Sequence, residues 1–575
     1  MNIRLTAAGA ALAACTTICA GNGTASLATD SISHNDSIHR ESSLGEVAVV
    51  ARRAGTTRMG GAVNGFNLNR EELFRAACCN LGESFTTNPA VDVSYNDATT
   101  GARQIKLLGL AGTYVQMMTE NMPNFRGAAA PYALGYVPGP WMKGIQVSKG
   151  AASVKNGYEA ITGQINVDYK KPEDEEGIEV NLFGDTKSRI EANADANLHI
   201  NKQLSTEVLM HYENSFENHD DNGDGFYDKP KVEQYNLQNR WLWAGEKYIF
   251  HGGIGALKEH RNGGQTGHRG NDGAELFRIG LDTERYEAYM KHAFIIDRHK
   301  GTNIALMASG SMHMLDAGYG HKTYDVNEKN VYASLVFETN LTKMHNLSAG
   351  LSLNHDYLGQ TVRMVNDKEA SPVRMNEKET VPGIYAQYTF NLDHRLTAMA
   401  GIRADHSSVY GTFVTPRLHL KYMPTDMLTL RLSAGKGYRT PHALAENNYL
   451  LASGRRLVID DLEQEEAWNY GASAALNIPL LGETLKLNAE YYYTRFTAQA
   501  VTDYDTDPGV IHIGNLNGKS YSHTLQIDAT YPIFKGMTLT AAYRLNDVKA
   551  TYGGRLLEKP LTSKYKGLML SLIHI

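Results

Sequence analysis

The sequence predicts an all-β transmembrane antiparallel barrel with a smaller α/β domain at its N-terminus. Three observations predict this fold class: alternation of apolar and polar residues, alternation of connection lengths, and a composition rich in Gly and Tyr. The residue alternation begins near Ile178, and in one segment Leu485 and Leu487 alternate with Lys486 and Asn488. A period of two marks a strand with two unlike faces. We count about 18 such segments, far more than one sandwich needs.

The connections between these segments differ systematically in length. Tight turns are predicted at 391–394 and 423–427. Long polar loops are predicted at 215–232, 261–282, 358–379 and 439–464. Short turns on one rim and long loops on the other are typical of outer-membrane barrels. A soluble sandwich buries its apolar faces in a core of limited width, so the barrel is favoured.

Composition excludes several other classes of protein. The 575 residues carry a net charge of only −6, which argues against a nucleic-acid binder. After the N-terminal segment no run of about 18 apolar residues occurs, so no membrane-spanning helix is predicted. The chain has 32 Tyr, a residue suited to a bilayer interface. Ser563 and Lys566 match a Ser-x-x-Lys pattern, but without a partner motif this match indicates chance, and we predict neither enzyme activity nor a required cofactor.

The first residues predict export from the cytoplasm. Residues 1–28 match a signal peptide, with Arg4 before an apolar stretch at 5–18 and a small-x-small cleavage site at 26–28. A lipoprotein processing site at Cys15 remains an alternative. Either route takes the chain out of the cytoplasm.

The segments after the signal divide into three parts. Residues 29–59 are polar and predict a periplasmic tether, residues 60–172 predict a mixed α/β domain, and residues 173–569 predict the barrel. In the α/β domain a helix is expected at 70–80, capped by Asn69. Strands are expected at 104–110, 113–118 and 145–149, and the adjacent Cys78 and Cys79 are expected to be small buried residues.

Several segments resemble one family, the TonB-dependent outer-membrane receptors. Residues 104–123 resemble the first signature of the receptors' plug domain, and residues 145–167 resemble the second. Barrel segments at 416–418, 437–441 and 468–471 are also similar to these receptors. The resemblance covers about residues 45 to 569, with the plug segments in the correct order.

The resemblance implies a function, a location and partners. It implies active import of a scarce nutrient, with metal chelates (ferric siderophore, haem or cobalamin) favoured and copper as a minor alternative. It implies a monomer in outer-membrane lipid, energised by the TonB complex. The segment that this complex would grip, the TonB box, is formed by Glu46, Val47, Ala48, Val49, Val50 and Ala51. A passive porin and a surface adhesin remain alternatives.

The sequence departs from the family pattern in two places. Glu120-Asn121 stands where the family usually has Asp-Gly, which predicts a different turn. Residues 570–575 resemble translated adapter sequence rather than protein. Because plugged barrels of this family have about 22 strands, we expect a truncated barrel of about 18 of them.

Candidate ligand residues lie in the plug and on the predicted loops. Methionine sulfur and histidine nitrogen suit soft or borderline metals and haem. The candidates are Met122, Arg126, Tyr132, His260, His268, Met312, His313 and Met314. The alternative is that Met serves as adaptable packing and His as a surface residue.

One polar loop resembles a calcium-binding loop. Its oxygen donors would be Asp220, Asn222, Asp224 and Asp228, spaced as in the EF-hand pattern. The final position of that pattern is Lys231, where a bidentate Glu is expected. A structural calcium ion and an ordinary acidic loop therefore both remain open.

Overall fold

A computed structural model describes residues 3–7, 57–75, 79–174, 176–267, 275–364, 371–393, 395–534 and 536–573. The predicted TonB box at 46–51, His268 and Cys78 lie outside the described residues. Of the predicted signal peptide only the strand β1, Ile3–Ala7, is described, and it runs parallel to Gly177–Gly184.

The N-terminal domain is a mixed α/β unit, as predicted. Its strands are β2 Thr57–Arg58, β3 Gly65–Asn69, β4 Val91–Asp97, β5 Ala102–Leu107, β6 Val115–Thr119, β7 Met122–Pro123, β8 Met142–Lys149 and β9 Gly163–Tyr169. Six of them form a sheet in the order β2-β3-β8-β9-β6-β7, and β4 pairs with β5. Its helices are α1 Arg70–Arg75 and the 3₁₀ turns Glu83–Phe85, Gly112–Tyr114, Gly127–Ala129, Ala133–Gly135, Gly139–Trp141 and Val154–Asn156.

The predicted helix at 70–80 is shorter in the structure. The Asn69 side chain accepts a hydrogen bond from the Glu72 amide at 2.9 Å, so the predicted cap is present. The described helix ends at Arg75, and Cys79 lies beyond it in a bend, buried as expected. The predicted strand at 104–110 ends at Leu107, because Leu108 adopts a positive φ of 55°.

A second, much larger sheet follows. Its strands are β10 Gly177–Gly184, β11 Arg189–His199, β12 Leu204–Ser215, β13 Lys231–Ala244, β14 Tyr248–Gly264, β15 Arg278–Asp297, β16 Thr302–Tyr319, β17 Lys322–Asn340, β18 His345–Met364, β19 Val373–Leu392, β20 Leu396–Ser407, β21 Gly411–Tyr422, β22 Leu428–Arg439, β24 Glu465–Leu480, β25 Glu483–Ala498, β28 Ser520–Phe534, β29 Met537–Tyr552, β30 Arg555–Glu558 and β31 Tyr565–Ile573. The loops between them carry α2 Ala443–Glu446, the 3₁₀ turn Asn448–Ala452, and a small sheet of β23 Arg456–Ile459, β26 Ala500–Asp503 and β27 Val510–Asn515.

The large sheet is a continuous antiparallel meander. With β1 it counts 20 strands in chain order, and without β1 and the short β30 it has the expected 18 long strands. Within the described residues no hydrogen-bonded pairing joins β10, the first long strand, to β31, the last long strand.

The two rims of this sheet differ as predicted. On one, the turn rim, the connections are short, as at 423–427 and 481–482. On the other, the loop rim, long loops occur at 216–230, 440–464 and 499–519. Two predicted long loops are shorter than expected, because β14 continues to Gly264 and β18 to Met364.

Burial on the large sheet is the reverse of that in a soluble protein. Ile254 is 65% exposed and Ile402 57% exposed, whereas Arg240 and Arg403 are almost fully buried. Along β25 the predicted faces are confirmed: Leu485 and Tyr491 point outward, while Asn488 and Glu490 are buried. An apolar exterior with a polar interior fits a barrel wall in lipid.

Aromatic side chains cluster at both ends of the outer surface. Near the turn rim the rings of Tyr248 and Phe294 lie 5.1 Å apart. Near the loop rim Tyr493 stacks on His523 at 4.6 Å. Such girdles mark the two membrane interfaces of a transmembrane barrel. No helix in the described part of the chain is long and apolar enough to cross a membrane.

The N-terminal domain lies inside the large sheet as a plug. One hydrophobic cluster joins plug residues such as Leu81 and Val137 to inward residues of the wall such as Leu209, Leu257 and Tyr319. A buried ion pair of 2.6 Å also joins Lys149 of the plug to Glu490 of β25. The predicted barrel with an internal α/β domain is confirmed.

Candidate ligand site

A cavity of about 270 Å³ lies where the plug meets the loop rim. The plug contributes segments around 103–117, 124–134 and 158–159 to its lining. The barrel contributes the loop after β22, the loop before β28 and residues 559–562. A cavity between the plug and the outer loops is the expected position for a ligand that arrives from outside.

Arg126 is the predicted ligand residue that the structure places at this cavity. Its guanidinium lies 2.5 Å from Glu159 of the plug and 3.4 Å from Asp356 of β18. It also contacts the Asn354 side chain at 3.4 Å. The charge of Arg126 is thus balanced by two carboxylates, and the residue joins the plug to the barrel wall.

The segment that follows Arg126 is positioned by one carboxylate. Glu328 of β17 accepts a hydrogen bond of 2.9 Å from the Ala128 amide. Gly127 has a positive φ of 51°, and a Cβ at this position would lie 2.6 Å from the Glu328 carboxylate. Glycine is required here because both the backbone conformation and the close approach exclude a side chain.

The loop after β22 covers the cavity through charged and aromatic contacts. Arg439 forms ion pairs with Glu446 and Glu465. The Tyr114 hydroxyl of the plug donates to Glu465 at 2.8 Å. His442 bonds to Glu377 at 2.7 Å, and although burial opposes it, this contact raises the pKa of His442 to about 9. The loop therefore carries a charged His442 at neutral pH.

Tyr132, a second predicted ligand residue, lies beneath the same loop. Its hydroxyl donates to Asn448 at 2.7 Å, and the Tyr319 hydroxyl donates to the same oxygen at 3.1 Å. The Arg261 guanidinium lies 5.1 Å from the centre of the Tyr132 ring. Tyr132 does not line the ligand cavity but a second one, of about 400 Å³.

Basic side chains line another part of the ligand cavity. Arg103, Lys106 and Lys559 all belong to its lining. Lys106 donates to the Leu561 carbonyl at 2.5 Å, and the Lys559 ammonium lies 5.9 Å from the Tyr114 ring centre. Burial, followed by the charge of Lys106, lowers the pKa of Lys559 to about 8. Two ammonium groups thus share one side of the cavity.

The remaining predicted ligand residues do not join this cavity. Met122 is buried against Val154, Met307 and Tyr332, and lines a separate cavity of about 50 Å³ that Arg126 also lines. His260 is on the outer surface of β14, bonded to Asp282 at 2.5 Å.

The side chains of the predicted triplet Met312-His313-Met314 lie on two different faces of β16. His313 is buried on the inner face of β16, whereas Met312 and Met314 are less buried and alternate with it. Successive side chains of a strand point to opposite faces. The three side chains therefore do not point to one place, and a ligand role for any of them stays a prediction.

The predicted calcium loop lies on the loop rim. Asp220 accepts hydrogen bonds from the amides of Asp224 and Gly225 at 3.0 and 2.9 Å. Asn222 donates to Asp224, and Asp228 accepts from the Asp221 amide. In the described residues no group of three or more His, Cys, Asp or Glu side chains is arranged to hold a metal ion.

Sequence reasoning missed several residues that line the cavity. Arg439 lies in the segment at 437–441 that resembled the family, so a signal was present although no ligand role was assigned. Lys559 and Lys106 had no such signal, because neither belongs to a recognisable motif of cations. Their proximity arises from the fold.

The comparisons with solved structures identify similar folds. The ferripyoverdine receptor of the outer membrane of Pseudomonas aeruginosa has a TM-score of 0.69 at 13% identity, covering 92% of this chain and 76% of that chain. A mutant ferric enterobactin receptor from P. aeruginosa has a TM-score of 0.64 at 14% identity, covering 84% and 79%. The siderophore receptor PirA from Acinetobacter baumannii has a TM-score of 0.63 at 15% identity, covering 86% and 81%. At these identities the likeness shows the fold alone.

No curated protein matches the sequence. The family model described as "TonB dependent receptor-like, beta-barrel" matches residues 211–567, which is more than half of the chain. Proteins of this family are receptors of the outer membrane and not enzymes. The plug, the apolar exterior of the wall and the aromatic girdles agree with that location. The chain therefore belongs to the TonB-dependent receptor family.

Proposed function

We propose that this receptor actively imports a metal chelate, of the class that includes ferric siderophores, haem and cobalamin. We propose further that the chelate presents negative charge to the cavity. The observation that carries this proposal is the pair Lys106 and Lys559 at the cavity wall. A like-charge pair of half-buried cations is unfavourable by itself and becomes favourable when an anion lies between the two cations.

The other charges of the cavity support this assignment. Arg126 and Arg439 each contact two carboxylates, so their charge is already balanced. Among the described residues neither Lys106 nor Lys559 forms an ion pair. The aromatic rings of Tyr114 and Tyr158 add apolar lining to the cavity. Cations with aromatic surface suit a ligand that combines carboxylate or catecholate oxygens with flat apolar parts.

Substitution of Lys559 tests the ligand class. We expect Lys559→Met to weaken binding of an anionic chelate about tenfold, which corresponds to about 1.4 kcal/mol. The control is Lys564→Met, because Lys564 is exposed and pairs with Glu558 outside the cavity. Binding of ferric enterobactin, ferripyoverdine and haem to the purified receptor is measured by fluorescence quenching. Equal affinities in the two variants would contradict the anionic-ligand proposal.

The same contact predicts a pH dependence. The pKa of Lys559 is lowered to about 8 without ligand, and a bound anion raises it again. Binding must therefore take up protons above pH 8, so the affinity of the chelate falls as pH rises from about 8 to about 10. A titration of affinity against pH checks this, and the Lys559→Met variant should show a smaller decline, because His442, which also lines the cavity, loses its charge in the same range.

Import also requires a contact with the energising complex. We propose that Glu46 to Ala51 forms the TonB box and pairs as an added strand with the energising protein. Val47→Pro removes a backbone donor, so we expect uptake to be lost while ligand binding at the cell surface is retained. Val47→Ile is the matched control. Uptake that persists in the proline variant, or without a proton-motive force, would instead indicate a passive porin.

A further inference from the structure

We infer that the imported molecule leaves the ligand cavity along the wall formed by β11 to β14. This inference rests on the proposed function and specifies the route that the cargo takes. The cavity of about 400 Å³ that Tyr132 lines lies between this wall and the plug. Glu83 and Gly135 belong to its plug side, and Arg189, Gln234 and Arg261 to its wall side.

The two cavities share part of their lining. Arg103, Pro131 and Leu134 belong to both. The Arg103 amide donates to the Pro131 carbonyl at 2.8 Å, which holds this partition together. A shift of one plug segment, residues 131–135, would therefore connect the ligand cavity to the second cavity. The Arg103 guanidinium, which lines both cavities, would stay beside an anionic ligand as it moves from the first cavity to the second.

The wall of β11 to β14 is chemically suited to a hydrated passenger. Its inward side chains include the polar residues Asn193, Glu207, Gln234 and Gln238, each with a buried polar atom that no described residue bonds, as also occurs at His419 on the opposite wall. A buried polar group without a partner costs about 1–3 kcal/mol unless water or a ligand satisfies it. A polar molecule that passes along this wall meets donors and acceptors that are still available.

Near the loop rim the plug contacts this wall through one ion pair, Arg189 with Glu83 at 3.1 Å, and through single hydrogen bonds. Gln234 donates to the Gly135 carbonyl at 3.3 Å, and Asn236 donates to the Tyr136 carbonyl at 3.0 Å. Arg261 reaches the Gly101 carbonyl at 3.4 Å. Each of these is a single side-chain bond to a backbone oxygen, which is worth about 0.5–1.5 kcal/mol. The Arg189–Glu83 ion pair and the contact of Arg261 with the Tyr132 ring must also break before the plug can separate from this wall.

Nearer the turn rim the same wall is closed by charge. Arg240 of β13 pairs with Glu120 of the plug at 2.6 Å, and Lys170 pairs with Asp195 of β11. These pairs must separate before cargo can leave the barrel. Their cations would attract an anionic chelate.

A pair of cross-links tests the route. The first receptor carries Gly135→Cys in the plug and Gln234→Cys in β13, and a short cleavable reagent that reacts with both thiols joins them. Ser153→Cys with Gln387→Cys joins the plug to β19 and is the matched control, since Ser153 donates to Gln387 at 2.6 Å. Cells carrying each receptor are tested for binding and uptake of radiolabelled ferric enterobactin, ferripyoverdine and haem, before and after the linker is cleaved.

The inference predicts opposite results for the two linkers. The β13 linker should lower uptake at least tenfold without changing binding, and cleavage should restore uptake. The β19 linker should leave uptake within about twofold of the unlinked receptor. Uptake through a fully β13-linked receptor, or loss of uptake with the β19 linker, would overturn the route. Absence of binding by the unlinked receptor would instead contradict the proposed function.

Discussion

Two regions of the barrel wall hold the plug in different ways. On the side of β20 to β22, Arg417 donates to four plug carbonyls, those of Ala152, Ser153, Tyr158 and Ala160, at 3.1 to 3.4 Å. On the side of β11 to β14, single amide side chains reach single carbonyls, and ion pairs such as Arg189 with Glu83 and Arg240 with Glu120 add to them. The first wall anchors the plug, whereas the second leaves room beside it.

The difference follows from the residues that each wall presents. Gly401, Gly435 and Gly437 lie on the anchoring wall, and a Cβ on any of them would meet a plug atom within 2.8 Å. Absence of side chains there brings backbone and plug into direct contact. The opposite wall presents long polar side chains such as Gln234 and Glu207, and a cavity lies between part of this wall and the plug. A single sheet thus combines a close-packed attachment with a polar passage.

The largest effect is expected from breaking the anchor. Arg417→Met would leave up to four plug carbonyls without their donor, so we expect the plug to lose about 3 kcal/mol or more of stability. Hydrogen exchange of residues 150–161 should become faster, while residues 131–136 on the other wall change little. Arg374→Met, an exposed substitution, is the control. Unchanged exchange at 150–161 would show that Arg417 does not anchor the plug.

A smaller effect is expected from a side chain placed in the close contact. In Gly437→Val the new Cβ would lie 2.8 Å from Ile161 and 3.1 Å from the Ala160 carbonyl. Overpacking of this kind costs about 1–3 kcal/mol. Gly454→Val is the matched control, because no atom lies within 4 Å of its Cβ position. Urea denaturation of both variants measures the difference, and equal midpoints would refute the close packing.

The opposite wall should tolerate substitution. Gln234→Leu removes one hydrogen bond of 3.3 Å to Gly135 and also a buried amide oxygen without a partner. These two effects oppose each other, so we expect a stability change within about 1 kcal/mol. Uptake should fall more than stability if the route is correct. A loss of stability as large as that of Arg417→Met would remove the contrast between the walls.

The smallest effect concerns the loop above the polar wall. His219 and Asp221 line the mouth of the second cavity together with Asp228, which is one of the predicted calcium donors. Calcium bound by this loop would order the mouth of the second cavity. Calorimetric titration of the refolded receptor with calcium should then show one weak binding site, which the substitution Asp224→Asn removes. A titration without any heat of binding would show that this segment is an ordinary acidic loop.

Sequence patterns predicted most of the fold. Strand number, strand faces and the two kinds of connection all follow from a local period of two, which Leu485 to Tyr491 show clearly. The α/β domain and its place before the barrel were predicted from its plug signatures. Helix α1 was expected to be longer, because the residues after Arg75 carry no strong stop signal such as Gly or Pro.

The candidate site was predicted less completely. Arg126, which its position in the plug loop suggested, lines the candidate cavity, and its role in binding stays a prediction. Met312 and Met314 do not share a face with His313, because the side chains of a strand alternate, and the sequence motif alone did not take this into account. The ligand role proposed for Lys559 had no basis in the sequence, since a single lysine in a polar loop has no distinctive pattern.

By itself, the sequence determined what each short segment can do: which strands have one face for lipid, which turns are tight, and which family the plug signatures resemble. Those properties depend on neighbours along the chain. Only the tertiary structure decided which distant residues share a cavity, as with Lys106 and Leu561, which bond although they lie 455 residues apart. The physical reason is that a curved sheet around a plug sets these distances, and no local preference encodes its curvature.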